Sequence, residues 1–309
     1  MKNVFCLVFV AFLLISCDDG DLIVTDFNFD NKKLQWCEDS DSQVLFNLNN
    51  DQVHEAIAFR FTLNNETAQF LTTEEGETTI PLSSANQIIY RVFDGEVESS
   101  YFCNAIPPVS PKVVEEYRTT SGGEVLITTT LLNNTDHDGD GVLSTQEGIT
   151  SERDTDEDGI PDYLDIDDDG DNILTRVEIE VTADNSVNNF PDSDNDGTAD
   201  FLDADDDNDN TPTRNEDWNL NNNPADDRNE DGLAHYLNPA ITDSFEVTTS
   251  RENIISRGFR YLVTVENLTL SKQGGDGEQI RLENYELGYY DSPSEQITIE
   301  PSGTSEEGQ

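Results

Sequence analysis

The stretch DTDEDGIPDYLD at residues 154–165, followed after Ile166 by DDDGDNILTRVE at 167–178, sets the reading of this chain. Both frames put acids at positions 1, 3 and 5, Gly159 or Asn172 at position 6, and oxygen-bearing side chains at positions 9 and 12. The first frame is Asp154, Asp156, Asp158, Ile160, Asp162 and Asp165; the second is Asp167, Asp169, Asp171, Ile173, Thr175 and Glu178. The pair recurs 38 residues later, as Asp192, Asp194, Asp196, Thr198, Asp200 and Asp203, then Asp205, Asp207, Asp209, Thr211, Thr213 and Glu216. Upstream stands a further copy, Asp136, Asp138, Asp140, Val142, Ser144 and Glu147. Downstream, Asp227, Asn229, Asp231, Leu233, His235 and Asn238 keep Gly232 but lose the terminal carboxylate. Asp217, Asn219 and Asn221 hint at another copy, but with neutral groups and no Gly it is not counted.

Oxygen donors at 1, 3, 5, 9 and 12, a backbone carbonyl at 7 and a sharp turn at 6 are what a calcium loop needs. Asn suits position 6 as well as Gly does, because it also enters the left-handed region. Hard carboxylate and carbonyl oxygens select calcium over zinc or copper, and crowded protein ligands select it over magnesium, which keeps its water. The reading is five full loops and a weak sixth. The alternative is a disordered acidic spacer, since blocks of like charge are usually solvated. Random acidity, however, would not place Gly or Asn at one phase and Leu, Tyr or Phe at another. Residues 131–240 carry 33 Asp and Glu against 4 Arg, half of the acids in a chain of formal charge -50, so the charge is local. With few apolar residues per repeat, the loops are expected to be loose without metal and stiff with it. Tyr163, Leu164, Leu174, Phe201, Leu202, Tyr236 and Leu237 are the expected small core.

A single residue, Ile166 or Ala204, separates the paired frames, which leaves no room for the flanking helices of an EF-hand. The region therefore resembles the thrombospondin type 3 repeats and related Asp-rich repeats of bacterial surface proteins. It departs from that pattern in the Glu at position 12 of alternate loops, which is more EF-hand-like.

Lys2 and the apolar run 4–15 read as an export signal, too short to span a bilayer. Leu14-Ile15-Ser16-Cys17 resembles the lipobox of bacterial lipoproteins, which implies removal of 1–16 and acylation of Cys17. Asp18, Asp19 and Asp21 resemble the surface-export signal of lipoproteins in the Bacteroidota, so 17–25 is expected to be a tether on the outer face of the outer membrane. With Cys6 lost and Cys17 lipidated, Cys37 and Cys103 remain as a pair, a disulfide in an oxidising compartment or else two buried thiols.

Elsewhere the fold class is mainly β. Ile57, Phe59, Phe61 and Leu63 alternate with Ala58, Arg60 and Thr62, and a disulfide-tied β-sandwich over 26–132 is expected. The segment 106–111, IPPVSP, is either a stiff connection or a crossing between sheet edges. The repeats then fill 133–240, a small β unit fills 241–300 with Phe259, Tyr261, Val263 and Val265 alternating, and 301–309 is a polar tail.

Three histidines, His54, His137 and His235, make a Ser-His-Asp or Cys-His site hard to build, and no phosphate-binding Gly loop is present. So acidic a chain is repelled by nucleic acid. The expected role is structural or adhesive, with Trp36, Trp218 and Tyr289-Tyr290 as core or as contacts for a surface glycan or protein. The rival is an enzyme or prolyl isomerase with an unfamiliar site in a β region, which would need a cleft with converging His or carboxylates.

Overall fold

The computed structural model describes residues 29 to 300 other than 30, 40–41, 63–74, 105, 120–121, 182–186 and 276. The export signal, Cys17, the acidic tether and the 301–309 tail lie outside the described residues. In chain order the strands are β1 Gln35–Asp39, β2 Ser42–Asn49, β3 His54–Phe61, β4 Gly76–Pro81, β5 Gln87–Phe93, β6 Val113–Thr119, β7 Glu124–Leu131, β8 Glu180–Val181, β9 Val187–Asn189, β10 Ile254–Arg257, β11 Phe259–Lys272, β12 Gln279–Asp291 and β13 Glu295–Thr298. The fold is mainly β, built on a curled nine-stranded sheet of order β1-β2-β3-β5-β6-β11-β7-β4, with β12 paired to β11. The chain divides into two compact units, one of residues 1–71, 77–127 and 262–290, the other of 72–76, 128–261 and 291–309.

In the first unit β2 and β3 pair in antiparallel register, with Leu45 opposite Phe59 and Phe46 opposite Ala58. The alternation places Ile57, Phe59 and Phe61 in the core, all fully buried, and Phe59 stacks on Phe61 at 4.8 Å between ring centres. The opposite face is covered too. Val44, Phe46 and Ala58 pack beneath Phe102 of a one-turn helix, α1 Ser100–Cys103. The Cys37–Cys103 disulfide ties that helix to β1. A chain-entropy account gives this bridge, across a separation of 66 residues, about 4 kcal/mol of stabilisation. The Pro-rich 106–111 segment joins α1 to β6, which pairs with β5, so it runs within this unit. Trp36 is a packing residue: its Nε1 donates to Gln43 at 2.7 Å and its ring meets Phe61 and Tyr290.

The C-terminal segment is split between two sheets. β10 and β13 form a small antiparallel sheet of their own, Ile254 opposite Thr298 and Arg257 opposite Glu295. The hairpin between them does not form a separate unit: β11 pairs with β6 from Leu270 to Lys272, and also with β7 and β12. Periodicity marks a strand but not its partner, so a boundary at 240/241 could be drawn from the sequence although strand pairing places 262–290 in the first unit.

The acidic array occupies the second unit and has almost no regular structure. It shows α2, Thr175–Glu178, and single 3-10 turns at Asp162–Leu164, Asp200–Leu202, Thr213–Asn215, Pro224–Asp226 and His235–Leu237. Two small apolar clusters hold it, Val142, Ile179 and Phe201 in one, Ile173, Ala234 and Tyr236 in the other. Phe201 and Tyr236 were legible as core, whereas Val142, Ile160 and Ile173 were read only as position-7 carbonyls. Their side chains are buried, Val142 and Ile173 within these two clusters.

Candidate metal centre

Each loop is shaped by its own carboxylates accepting backbone N–H groups. The position-3 carboxylate takes the position-5 N–H, as Asp169 from Asp171 at 3.2 Å, and position 5 takes position 7, as Asp171 from Ile173 at 2.6 Å. Position 1 takes position 6, as Asp154 from Gly159, Asp167 from Asn172, Asp192 from Gly197 and Asp205 from Asn210. This wrapping needs a left-handed residue at position 6, and Gly141, Gly159, Asn172, Gly197, Asn210 and Gly232 all have positive φ.

Two further positions have roles the sequence reading did not give them. Ser144, Asp162, Thr175, Asp200 and Thr213, expected as position-9 ligands, instead accept the backbone N–H of position 2 in their own loops. Asp162 is fully engaged, since it also accepts from the Thr155 hydroxyl and from Arg153. A short side chain seven residues on meets that N–H as the loop closes and so locks the loop. Position 12 divides by residue type. Asp165 and Asp203 accept the N–H of Asp167 and Asp205 and so fasten one loop to the next. Glu147 and Glu216 are buried with neither oxygen hydrogen-bonded, and Glu178 has one such oxygen.

The orphan oxygens converge. Asp136, Asp138 and Asp140 bring one oxygen each within 4.8 Å of one another, as do Asp154, Asp156 and Asp158, and Asp192, Asp194 and Asp196. Asp169, Asp171, Glu178 and Asp206 form a cluster that is buried throughout. A further set joins Asp140 and Glu147 to Asp168. Asp168 and Asp206, at position 2 of their loops, were not singled out from the sequence. The signal was present, because only these two loops carry an acid there.

Taken as protein alone these clusters are electrostatically costly. Burial, then the neighbouring Asp140, pushes Glu147 up to about 9 and Asp138 to about 10. Burial likewise pushes Asp168 up to about 11, Asp206 to about 10 and Glu216 to about 8, and raises Asp169, Asp171 and Glu178 well above the usual range. The loop 192–203 differs: the Asp196 N–H holds the Asp194 carboxyl below its usual value, and Asp196 is exposed.

The downstream copies shape the same turn largely with hydrogen bonds from Asn side chains. In the 227–238 loop the Asn229 side chain accepts from the Asp231 and Leu233 N–H groups, its N–H donates to the Leu233 carbonyl, and Asp227 accepts from Asn219. The uncounted segment at 217 is nonetheless a loop, with Asn222 at positive φ donating to Asp217 at 2.7 Å. Its Asn219, Asn221 and Asn223 amides all donate to Asp226, so hydrogen bonds stand where the other loops have open carboxylates.

Asn172 also has a second task. Its amide donates to the Thr249 carbonyl at 3.1 Å and accepts the Arg251 N–H at 3.1 Å. With Phe245 and Val247 bonded to Asn215, and Asn253 to the Leu164 carbonyl, residues 245–253 form a strap along the loops. The histidines are separately engaged: His54 faces Asn50, His137 meets the buried Ser144 hydroxyl at 2.8 Å, and His235 lies edge-on to Trp218. The cavity of about 320 Å³ in the first unit is lined by Glu96, Glu98, Tyr101 and Pro108 among others, with no histidine.

A family model described as BamM C-terminal matches residues 133–191, which cover the first three loops. That family takes its name from an outer-membrane assembly-related lipoprotein. No curated protein and no solved structure matches the chain.

Proposed function

We propose that this chain is a lipid-anchored outer-membrane surface protein whose middle third takes up calcium and is stiffened by it, in a structural or adhesive role. The observation that carries the reading is the set of buried carboxylate oxygens at 136–147, 167–178 and 205–216 that no donor among the described residues meets. Leaving such groups unpaired costs several kcal/mol each, and a divalent cation is the partner that several converging carboxylates share best. Around the 167–178 loop, Asp167, Asp169, Asp171, the Ile173 carbonyl, Glu178 and Asp206 would supply an all-oxygen set of the number calcium takes. The match to the BamM C-terminal family supports the outer-membrane placement, and the Cys17 lipobox supports the anchor. A surface glycan or protein would be the ligand of an adhesive role.

Sites of this extracellular kind have dissociation constants on the order of 0.1 to 1 mM. Chelation is expected to increase the hydrodynamic radius and to open residues 133–240 to protease, while the disulfide-tied unit stays resistant. Calorimetry without calcium uptake near that range, or scattering curves unchanged by chelator, would return the region to an acidic spacer. The family match favours a second reading, a subunit docked to outer-membrane assembly machinery, which calcium-dependent co-purification with that machinery would support.

A further inference from the structure

The loops are not independent units. Asp168 adjoins Asp169, which faces the cluster of its own loop, yet one oxygen of Asp168 lies within 4.8 Å of oxygens of Asp140 and Glu147 in the 136–147 loop. Asp206 lies between Asp205 and Asp207 but reaches Asp169, Asp171 and Glu178 of the 167–178 loop. The two residues are 38 positions apart, one repeat. Both are buried, at 2% and 1% exposure, and neither oxygen of either has a hydrogen-bond partner. Each is aimed by the same device, its backbone N–H held at 3.2 Å by the position-9 hydroxyl, Thr175 for Asp168 and Thr213 for Asp206.

The intervening loops lack this feature. Position 2 there is Thr155 or Ser193, and its hydroxyl donates back to Asp162 or Asp200 of the same loop at 2.8 Å. The series also ends at its downstream side, because the residue one repeat after Asp206 is Ser244 and position 2 of the 227–238 loop is Arg228.

Resting on the calcium reading above, we propose that Asp168 and Asp206 are shared ligands that link the ions of loops 136–147, 167–178 and 205–216 into one cooperative series, with loops 154–165 and 192–203 binding on their own. The physical cause is adjacency along the backbone. An ion that gathers Asp205, Asp207 and Asp209 fixes the 205–216 loop and thereby Asp206, which completes the ligand set of the 167–178 loop. That ion in turn fixes Asp168 for the 136–147 loop. By linkage each ion strengthens its neighbour as much as the neighbour strengthens it.

The test is calcium chloride titration of the full-length protein in detergent micelles by calorimetry, comparing wild type with Asp168→Asn, Asp206→Asn and the exposed-loop control Asp194→Asn. Wild type is expected to show a Hill slope above 1 for its tighter class of sites. Asp206→Asn is expected to lower that slope, the Asp168 link being left in place, and to weaken the 167–178 and 205–216 sites by about tenfold, within the usual range of coupling. Asp168→Asn should likewise lower the slope and weaken the 136–147 and 167–178 sites, and Asp194→Asn should weaken one site without touching the slope. Near-ultraviolet circular dichroism in calcium checks folding. If the Asn variant at 206 leaves the array unfolded, Asp206→Glu decides: a slope above 1 supports sharing and a slope of 1 overturns it. Five sites taken up with wild-type affinity in both Asn variants would overturn sharing while leaving calcium binding intact. No uptake by wild type would overturn the calcium reading itself.

Discussion

Replacing Glu147 by Gln should change stability with opposite sign in the presence and absence of calcium. Glu147 is fully buried, with neither carboxylate oxygen bonded, and its carboxyl is pushed from 4.5 up to about 9. A carboxyl whose folded value is raised favours the fold below its unfolded value, and that contribution is lost as pH rises towards the folded value. Between 4.5 and pH 7.5 lie three pH units at 1.36 kcal/mol each, so without metal Glu147 costs the fold about 4 kcal/mol. Gln never ionises, and its own unbonded amide costs about 1–3 kcal/mol. The net expectation is that Glu147→Gln stabilises the chelated array by about 1–3 kcal/mol at pH 7.5. In calcium it removes a carboxylate from the ion and destabilises by a similar or larger amount. Urea unfolding and proteolysis rates within 133–240, each with chelator and with 5 mM calcium chloride (about ten times the expected dissociation constant), read both arms. Parallel shifts in the two conditions, or no shift in either, would refute the argument. Nor should the substitution act through net charge, so Glu152→Gln on the exposed surface is the control.

Other expectations follow from single features. Asn172→Gly keeps the left-handed turn but removes two bonds to the strap, so in calcium it should cost about 1–3 kcal/mol and expose 245–253 to protease; an unchanged melt would show that the strap is passive. Reduction of Cys37–Cys103 should destabilise the first unit by about 4 kcal/mol while calcium uptake by the array persists, as a reducing-agent titration with calorimetry would show. Under chelation the array should be more compact at pH 5 than at pH 8, because Glu147, Asp168 and Asp206 are all raised and their cost fades as they take protons; equal radii at the two pH values would contradict this. Cys17→Ser should release the protein from membranes, and unchanged partition and mass would sink the anchor.

The sequence by itself determined the loops, because a calcium-type turn is a local object. Its acids, its Gly or Asn and its twelve-residue frame all sit within one short stretch, and the left-handed φ at Asn172 and Asn210 follows from residue type. It likewise determined β3, since Ile57, Phe59 and Phe61 alternate whatever they pair with, but the apolar run 101–103, which reads as a strand, lies in the helix α1. The tertiary structure decided everything that depends on partners distant in the chain. β11 could be read as a strand at Tyr261 and Val263, but only pairing reveals that its end lies beside β6. Ala58 faces away from the main core and is buried with Val44 and Phe46 beneath Phe102, whose helix the disulfide ties to β1. That Asp162 and Asp200 receive an N–H seven residues back shows only in the structure, because composition does not place the donor. Asp168 and Asp206 show the converse: their targets lie 21 to 37 residues upstream, as from Asp168 to Glu147 and from Asp206 to Asp169, and no local frame extends that far.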